Sequence, residues 1–162
     1  MGRRLGLHGH GLVDRQQWGP LEPGGPPRLT VLRIRRYHCT GCARTCRVVP
    51  RGVVPGLYYS ALALGLALAL WAVERTPSPT VRQRISPHRQ VGAEAGRGWR
   101  SLARWTRAVA AGALLQLGRL ALTGPPRVQA ATIASALAGH ASSTDRHRPF
   151  PARAALGAEQ VA

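Results

Sequence analysis

Lysine is absent from this chain, and carboxylates are few. All 23 basic residues are arginine, against six acidic residues, for a formal net charge of +17 over 162 residues. Arginine in place of lysine, beside abundant alanine, glycine and proline, matches the codon usage of a GC-rich genome. Codon usage does not account for the shortage of Asp and Glu. A surface this positive attracts polyanions, either nucleic acid or an anionic membrane face. It also repels itself, which weakens a free compact monomer at low salt. The carboxylates Asp14, Glu22, Glu74, Glu94, Asp145 and Glu159 are scattered along the chain. A strand-transferring nuclease needs them clustered to hold two metals, so that chemistry has no source here. There is no nucleophile–base pairing, no phosphate-cradling glycine loop and no H-E-x-x-H. The expectation is a binding module and not an enzyme.

Cysteine is scarce too. Cys39, Cys42 and Cys46 all fall in the stretch RRYHCTGCARTCRVVPRGVVP. Three cysteines, two of them close in sequence, argue against a disulfide framework and fit a reducing, cytoplasmic compartment better. The start, Met1-Gly-Arg-Arg, is followed by Gly and His and not by an apolar core, so no signal peptide is visible there. Cys39 and Cys42 have the C-x-x-C spacing that lets two thiolates from one tight turn reach one metal ion. A tetrahedral site needs four ligands, and no second C-x-x-C exists. His8 and His10, an H-x-H pair, are the candidate partners for a Cys2His2 zinc site, with solvated loop histidines as the plainer reading. His38 adjoins Cys39 and points the other way on a strand. Cys46 reads as a small core residue of the second strand.

The pattern along the chain predicts an α+β protein. Residues 1–28 are rich in Gly, Pro and Arg; LHGHGLVDRQQW has room for a short strand, and PLEPGGPP is a loop. Residues 29–38 alternate, with Leu32 and Ile34 on one side and Val31, Arg33, Arg35 and Tyr37 on the other. CTGCAR is a turn and residues 45–50 a second short strand, giving a hairpin with a metal knuckle at its tip. A Leu/Ala-rich helix is expected over 60–75, with Ser60 as N-cap. A short helix follows over 81–85, capped by Ser78 or Thr80. A long helix pattern runs from Trp99 to Leu122. Near its start, Trp99, Leu102, Ala103, Trp105, Thr106 and Val109 share one face, while Arg100, Arg104 and Arg107 form the opposite stripe. A weaker helix is expected over 128–141, and the last twenty residues read as disordered. The implied division is 1–52 for the hairpin, 53–122 for the helical region and 123–162 for a weak helix with a disordered tail.

Arginine also clusters where a nucleic-acid surface needs it. Arg33, Arg35, Arg36, Arg44, Arg47 and Arg51 crowd the hairpin; Arg97, Arg100, Arg104 and Arg107 follow helical spacing. The planar guanidinium suits phosphates and guanine edges. The helices at 60–75, 80–85 and 99–110 make a helix-turn-helix-like set, although the Gly-rich gap of 86–98 is far longer than the tight turn of that motif. Phosphate binding therefore reads more securely than base-specific recognition. The plain alternative for the α-helical arginines is a solvated face.

The run VLRIRRYHCTGCARTCRVVPRGVVPGLYYS resembles the N-terminal zinc-ribbon module of insertion-sequence transposases and transposase-like proteins, which often stands as a short family of unknown function. The residues that carry the likeness are Arg33, Arg35, Arg36, Tyr37, Cys39, Cys42, Arg44, Thr45, Pro50, Pro55, Tyr58 and Tyr59. WRSLARWTRAV is similar to the last helix of the helix-turn-helix that follows the ribbon. The likeness covers about residues 7–110. It implies a zinc-ribbon-like hairpin and Zn2+ held by Cys39 and Cys42. It also implies duplex DNA as partner, with a transposase or a second copy as a further one, and no catalysis. Two departures stand out. The family's first C-x-x-C would fall upstream of Met1, which implies a start codon further 5′ or a decayed gene. Cys46 stands where an aromatic is usual.

Two readings compete with DNA binding. VVPGLYYSALALGLALALWAV, residues 53–73, is uncharged and long enough to cross a bilayer, with Tyr58, Tyr59 and Trp71 near its ends and Arg51 and Arg75 flanking it. That would make a single-pass inner-membrane protein, although alanine, which is only weakly lipophilic, supplies much of the run. The other is a decayed reading frame without function.

Overall fold

The computed structural model describes residues 6–89, 91–94, 98–118 and 120–162. A three-stranded antiparallel sheet, in the order β1-β2-β3, is followed by five α-helices. The strands are β1 (Leu7–Gly19), β2 (Arg28–Cys39) and β3 (Thr45–Val48). The helices are α1 (Ala61–Ala72), α2 (Ser78–Ile85), α3 (Ser101–Ala110), α4 (Pro126–Gly139) and α5 (Phe150–Gln160). This is the α+β class that the pattern predicts.

The first strand is longer than LHGHGLVDRQQW led one to expect. It spans 13 residues because β2 offers it a partner almost throughout, from Leu7 opposite Cys39 to Gly19 opposite Arg28. Between Gly9 and Leu12 the register shifts in a bulge, where Gly11 takes a φ of 87°. The Pro/Gly-rich loop at 20–27 closes this hairpin. The turn at 40–44 closes the second one, with Arg35, Arg36, Tyr37 and His38 opposite Val48, Arg47, Cys46 and Thr45. Ile34, at 1% exposure, is the buried centre of the sheet's inner face. The end of β1 is tied to the helices: Trp18 donates to the Tyr58 carbonyl at 2.7 Å, and Ser60 N–H donates to the Trp18 carbonyl at 3.0 Å. Gly19 fits there because a Cβ would lie 2.7 Å from that of Ala63.

The α1 helix explains the apolar run without a membrane. Every residue from Ala61 to Leu70 is buried, and the other four helices and β1 pack around it. A helix that is apolar on all sides belongs in the middle of a core. Ser60 caps it as expected, its Oγ accepting the Ala63 N–H at 3.1 Å. The rest of the 53–73 run is not helical: Val53 bridges to Ser60, and a turn runs through Gly56, at a φ of 74°. Twelve residues reach about 18 Å at ~1.5 Å per residue, against a hydrocarbon thickness of ~30 Å. Among the described residues no helix is long and apolar enough to cross a membrane.

Two helical boundaries differ from expectation. The pattern from Trp99 to Leu122 yields only α3, which stops at Ala110. Gly112 takes a φ of 70°, Ala113 N–H donates back to the Ala108 carbonyl and Gly112 N–H to that of Val109. This pair of bonds with a left-handed glycine is the Schellman stop. The α2 helix starts at Ser78 after Pro77, and Ser78 is not its cap: its Oγ accepts the Trp99 N–H at 3.1 Å, tying α2 to the start of α3.

The largest correction concerns the C-terminus. The last twenty residues hold a 3-10 turn at Ser143–Asp145 and the helix α5, which packs on α1 and α4. Ala154, Ala155 and Ala158 are fully buried. The segment looks weak in sequence because alanine and glycine carry little hydrophobic signal, yet they let helix axes approach closely. A Cβ on Gly65 would lie 2.5 Å from the Ala154 carbonyl oxygen, and one on Gly157 would overlap the Leu137 carbonyl oxygen. The 123–162 segment thus shares a core with α1, through Ile133, Ala134, Leu137 and the α5 alanines.

Candidate nucleic-acid interface and cysteine knuckle

The C-x-x-C turn brings its two thiols together. The Cys42 backbone N–H, then the Cys42 side chain, then the Gly41 N–H bond to the Cys39 sulfur; together they hold the Cys39 thiol below the ordinary cysteine value, against a smaller opposing effect of burial. Cys39 N–H donates to the Arg44 carbonyl at 2.9 Å, which closes the turn. Ala43 makes the turn in the left-handed region, at a φ of 55°. Cys39 is buried, at 7% exposure, and Cys42 is exposed. Cys46 is exposed as well, opposite Tyr37, and is not the small core residue expected.

The candidate histidine partners are drawn elsewhere. His8 pairs with His38, and the His10 ring lies 5.8 Å from the His38 ring. Adjacent strand residues point to opposite faces. His8 and His38 therefore lie on the face away from Cys39, which pairs with Leu7. Among the described residues no group of three or more His, Cys, Asp or Glu side chains is placed to hold a metal ion. Cys39 and Cys42 supply two of the four ligands that zinc takes. Among the described residues the donor set falls short of the ion.

Strand parity splits the hairpin arginines between the two faces. Arg33 and Arg35 share the outer face with Val31 and Tyr37, as the alternation predicts. Arg33 faces Asp14 across the strands with Nε 3.8 Å from Oδ1, both side chains well exposed. Arg36 falls on the opposite face, in line with Ile34 and His38, and is directly paired with Arg47. Arg44 is exposed in the turn. Arg51 donates from Nη1 to the Gln160 Oε1 at 2.8 Å, which ties it to α5. Arg97 lies outside the described residues.

The α3 stripe is presented as expected. Leu102, Trp105, Thr106 and Val109 are buried, while Arg100, Arg104 and Arg107 are exposed. Trp105 seats the helix: its ring lies 4.8 Å from that of Trp99 and 5.0 Å from that of Tyr59. Tyr59 is in turn edge-on to Trp18 at 5.3 Å, and Trp18 stacks on Tyr58 at 4.9 Å and meets His88 at 4.6 Å. This aromatic chain joins the end of β1 to the start of α3. Sequence reading placed Trp99 and Trp105 in a core but missed Trp18. Arg15 was missed too: its Nη2 donates to the Val54 and Leu57 carbonyls, both at 2.8 Å. It is structural, holding the sheet to the segment ahead of α1.

Between that segment and the sheet runs an open groove of about 630 Å3. Val13, Ile34, Leu57 and Tyr58 give it apolar walls, and Asp14, Arg15 and Arg47 give it charge. Comparison with known proteins gives no match among protein-family models, curated proteins or solved structures.

Proposed function

We propose that this chain binds duplex DNA, without catalysis, as an accessory or remnant protein of the transposase-like kind that its hairpin resembles. The observation that carries the reading is α3. Its apolar half is buried and its other half offers Arg100, Arg104 and Arg107 to solvent. Among the described residues Arg104 and Arg107 bond within their own helix, to the Ser101 Oγ at 3.3 Å and the Ala103 carbonyl at 3.3 Å. Their charges are not neutralised by those neighbours. Six carboxylates cannot balance 23 guanidinium groups. The excess has to be met by counterions or by a polyanion. A row of arginines along one helix face can contact backbone phosphates, which positions a protein on DNA without reading its sequence.

The test is an electrophoretic shift on duplex DNA at low salt, comparing the chain with its Arg100→Ala/Arg104→Ala/Arg107→Ala variant. The reading expects a shift with the parent and a marked loss with the variant. No shift by the parent at low salt overturns it.

A further inference from the structure

The inner face of the sheet carries an arrangement that a fold alone would avoid. Arg36 on β2 and Arg47 on β3 are direct cross-strand partners. Side chains so paired lie on one face, and like charges there oppose each other. Among the described residues no carboxylate is cross-strand partner to either: Asp14, which lines the same groove as Arg47, faces Arg33 across the strands. The Arg36 Nε is shielded from solvent and has no hydrogen-bond partner among the described residues. Its Nη2 lies 3.8 Å from where a Cβ on Gly11 would sit, in the β1 bulge. The bulge residue at that place is a glycine, so no side chain covers the guanidinium from that side. His38 follows Arg36 on the same face, with His8 opposite it and the His10 ring 5.8 Å away. Arg36, Arg47, His38 and His8 therefore share one face at one end of the sheet, with the His10 ring beside His38.

We propose that this end is a phosphate subsite, in which Arg36 and Arg47 clamp one or two phosphate groups of a DNA backbone and His8, His10 and His38 line the approach. An anion between the two guanidinium groups turns the cross-strand repulsion into two charge-assisted hydrogen bonds. The bulge serves the same end, since it places a glycine and no side chain against the Arg36 guanidinium. On the outer face neither Arg33 nor Arg35 has an arginine as cross-strand partner, and Arg33 already has Asp14 beside it. The site faces away from the Cys39 side of its strand, so a metal at the knuckle is not required. A backbone phosphate is favoured over a bilayer because Arg36 is only half exposed and lies beside a narrow bulge. A ridge of phosphates reaches a recessed guanidinium better than a flat surface does.

The inference rests on the DNA reading, and the experiment separates the two. Affinity for a 20-base-pair duplex is measured by fluorescence anisotropy across a salt series. The parent is compared with Arg36→Ala, Arg47→Ala, Arg47→Glu and Arg33→Ala/Arg35→Ala, and anionic phosphatidylserine vesicles and inorganic phosphate serve as competing probes. Each inner-face alanine variant is expected to lose roughly tenfold in affinity and to flatten the salt slope by about 0.9. The outer-face double variant should keep most of its affinity. Arg47→Glu should bind worst while folding at least as well as the parent, because it makes a cross-strand ion pair; that guards against misreading an unfolded variant. Inner-face alanine variants that bind like the parent, or an outer-face loss at least as large as theirs, overturn the subsite and leave DNA binding standing. Absence of any DNA binding by the parent overturns both. Vesicles binding more tightly than DNA, with the same dependence on Arg36 and Arg47, would overturn the choice of DNA backbone as the ligand.

Discussion

Replacing Gly157 with alanine adds one methyl group where α5 crosses α4. The new Cβ would overlap the Leu137 carbonyl oxygen, and would lie 2.7 Å from the Leu137 carbonyl carbon and 3.1 Å from the Ala141 nitrogen. These neighbours are backbone, so no side chain can swing aside. The α5 helix must shift outward, which opens the layer of Ala154, Ala155 and Ala158 against α1 and α4. Overpacking of this kind costs about 1–3 kcal/mol and sometimes more. Alanine's better helix propensity returns up to about 1 kcal/mol. The net expectation is a destabilisation of about 2 kcal/mol, read as a fall in Tm of roughly 4–8 °C for a chain of this size. Gly139→Ala is the control: nothing lies within 4 Å of its would-be Cβ, so it should be neutral or mildly stabilising. Both are measured by thermal circular dichroism and urea unfolding. If Gly157→Ala matches the control, the close α4–α5 crossing is wrong, and so is the ordered C-terminal helix.

Three other outcomes follow from the geometry. Ala43→Gly should stabilise the second hairpin by about 1 kcal/mol, since alanine pays a left-handed penalty at its φ of 55° that glycine does not; urea titration reads it, and destabilisation would contradict the turn. Ser60→Ala should lose about 1 kcal/mol, because the Ala63 N–H at the start of α1 loses its acceptor; an unchanged midpoint would mean that water replaces the cap. Glu159 is half-buried on α5 against Gly52, and burial pushes its carboxyl above the ordinary value. Its charged form is therefore penalised in the fold. The penalty is absent below the unfolded pKa of about 4.3 and grows as pH rises through the folded value. Glu159→Gln should accordingly be more stable than the parent at pH 7, with the gain fading as pH falls below about 4; a gain that persists at pH 3 would contradict the cause assigned.

Strand alternation made β2 legible, and with it the outward placement of Arg33 and Arg35. The same parity puts Arg36 on the other face, a consequence that clustering by sequence proximity hides. The α1 helix was placed correctly, cap included, but its environment was not legible. A uniformly apolar segment looks alike in a bilayer and at the centre of a core; only the helices around it decide. The α3 stop was written in the sequence as Gly112, but a continuing Leu/Ala pattern masked it. The α5 helix was missed because its packing depends on small residues at close crossings, which need the partner helix to be known. At the cysteine turn, C-x-x-C spacing correctly implies two converging thiols. The histidines at His8 and His10 were offered as ligands, yet register fixes His8 opposite His38, and no local pattern reveals that register in advance.

The account's central claim is that arginine–phosphate contacts hold this chain on duplex DNA. The most direct measurement is the binding constant for a single duplex, by fluorescence anisotropy, from low to physiological salt. If α3 and the inner-face pair both engage DNA as proposed, their five arginines predict a log–log slope near −4.5 at about 0.9 per contact. A slope near zero, or no binding at the lowest salt, would contradict it.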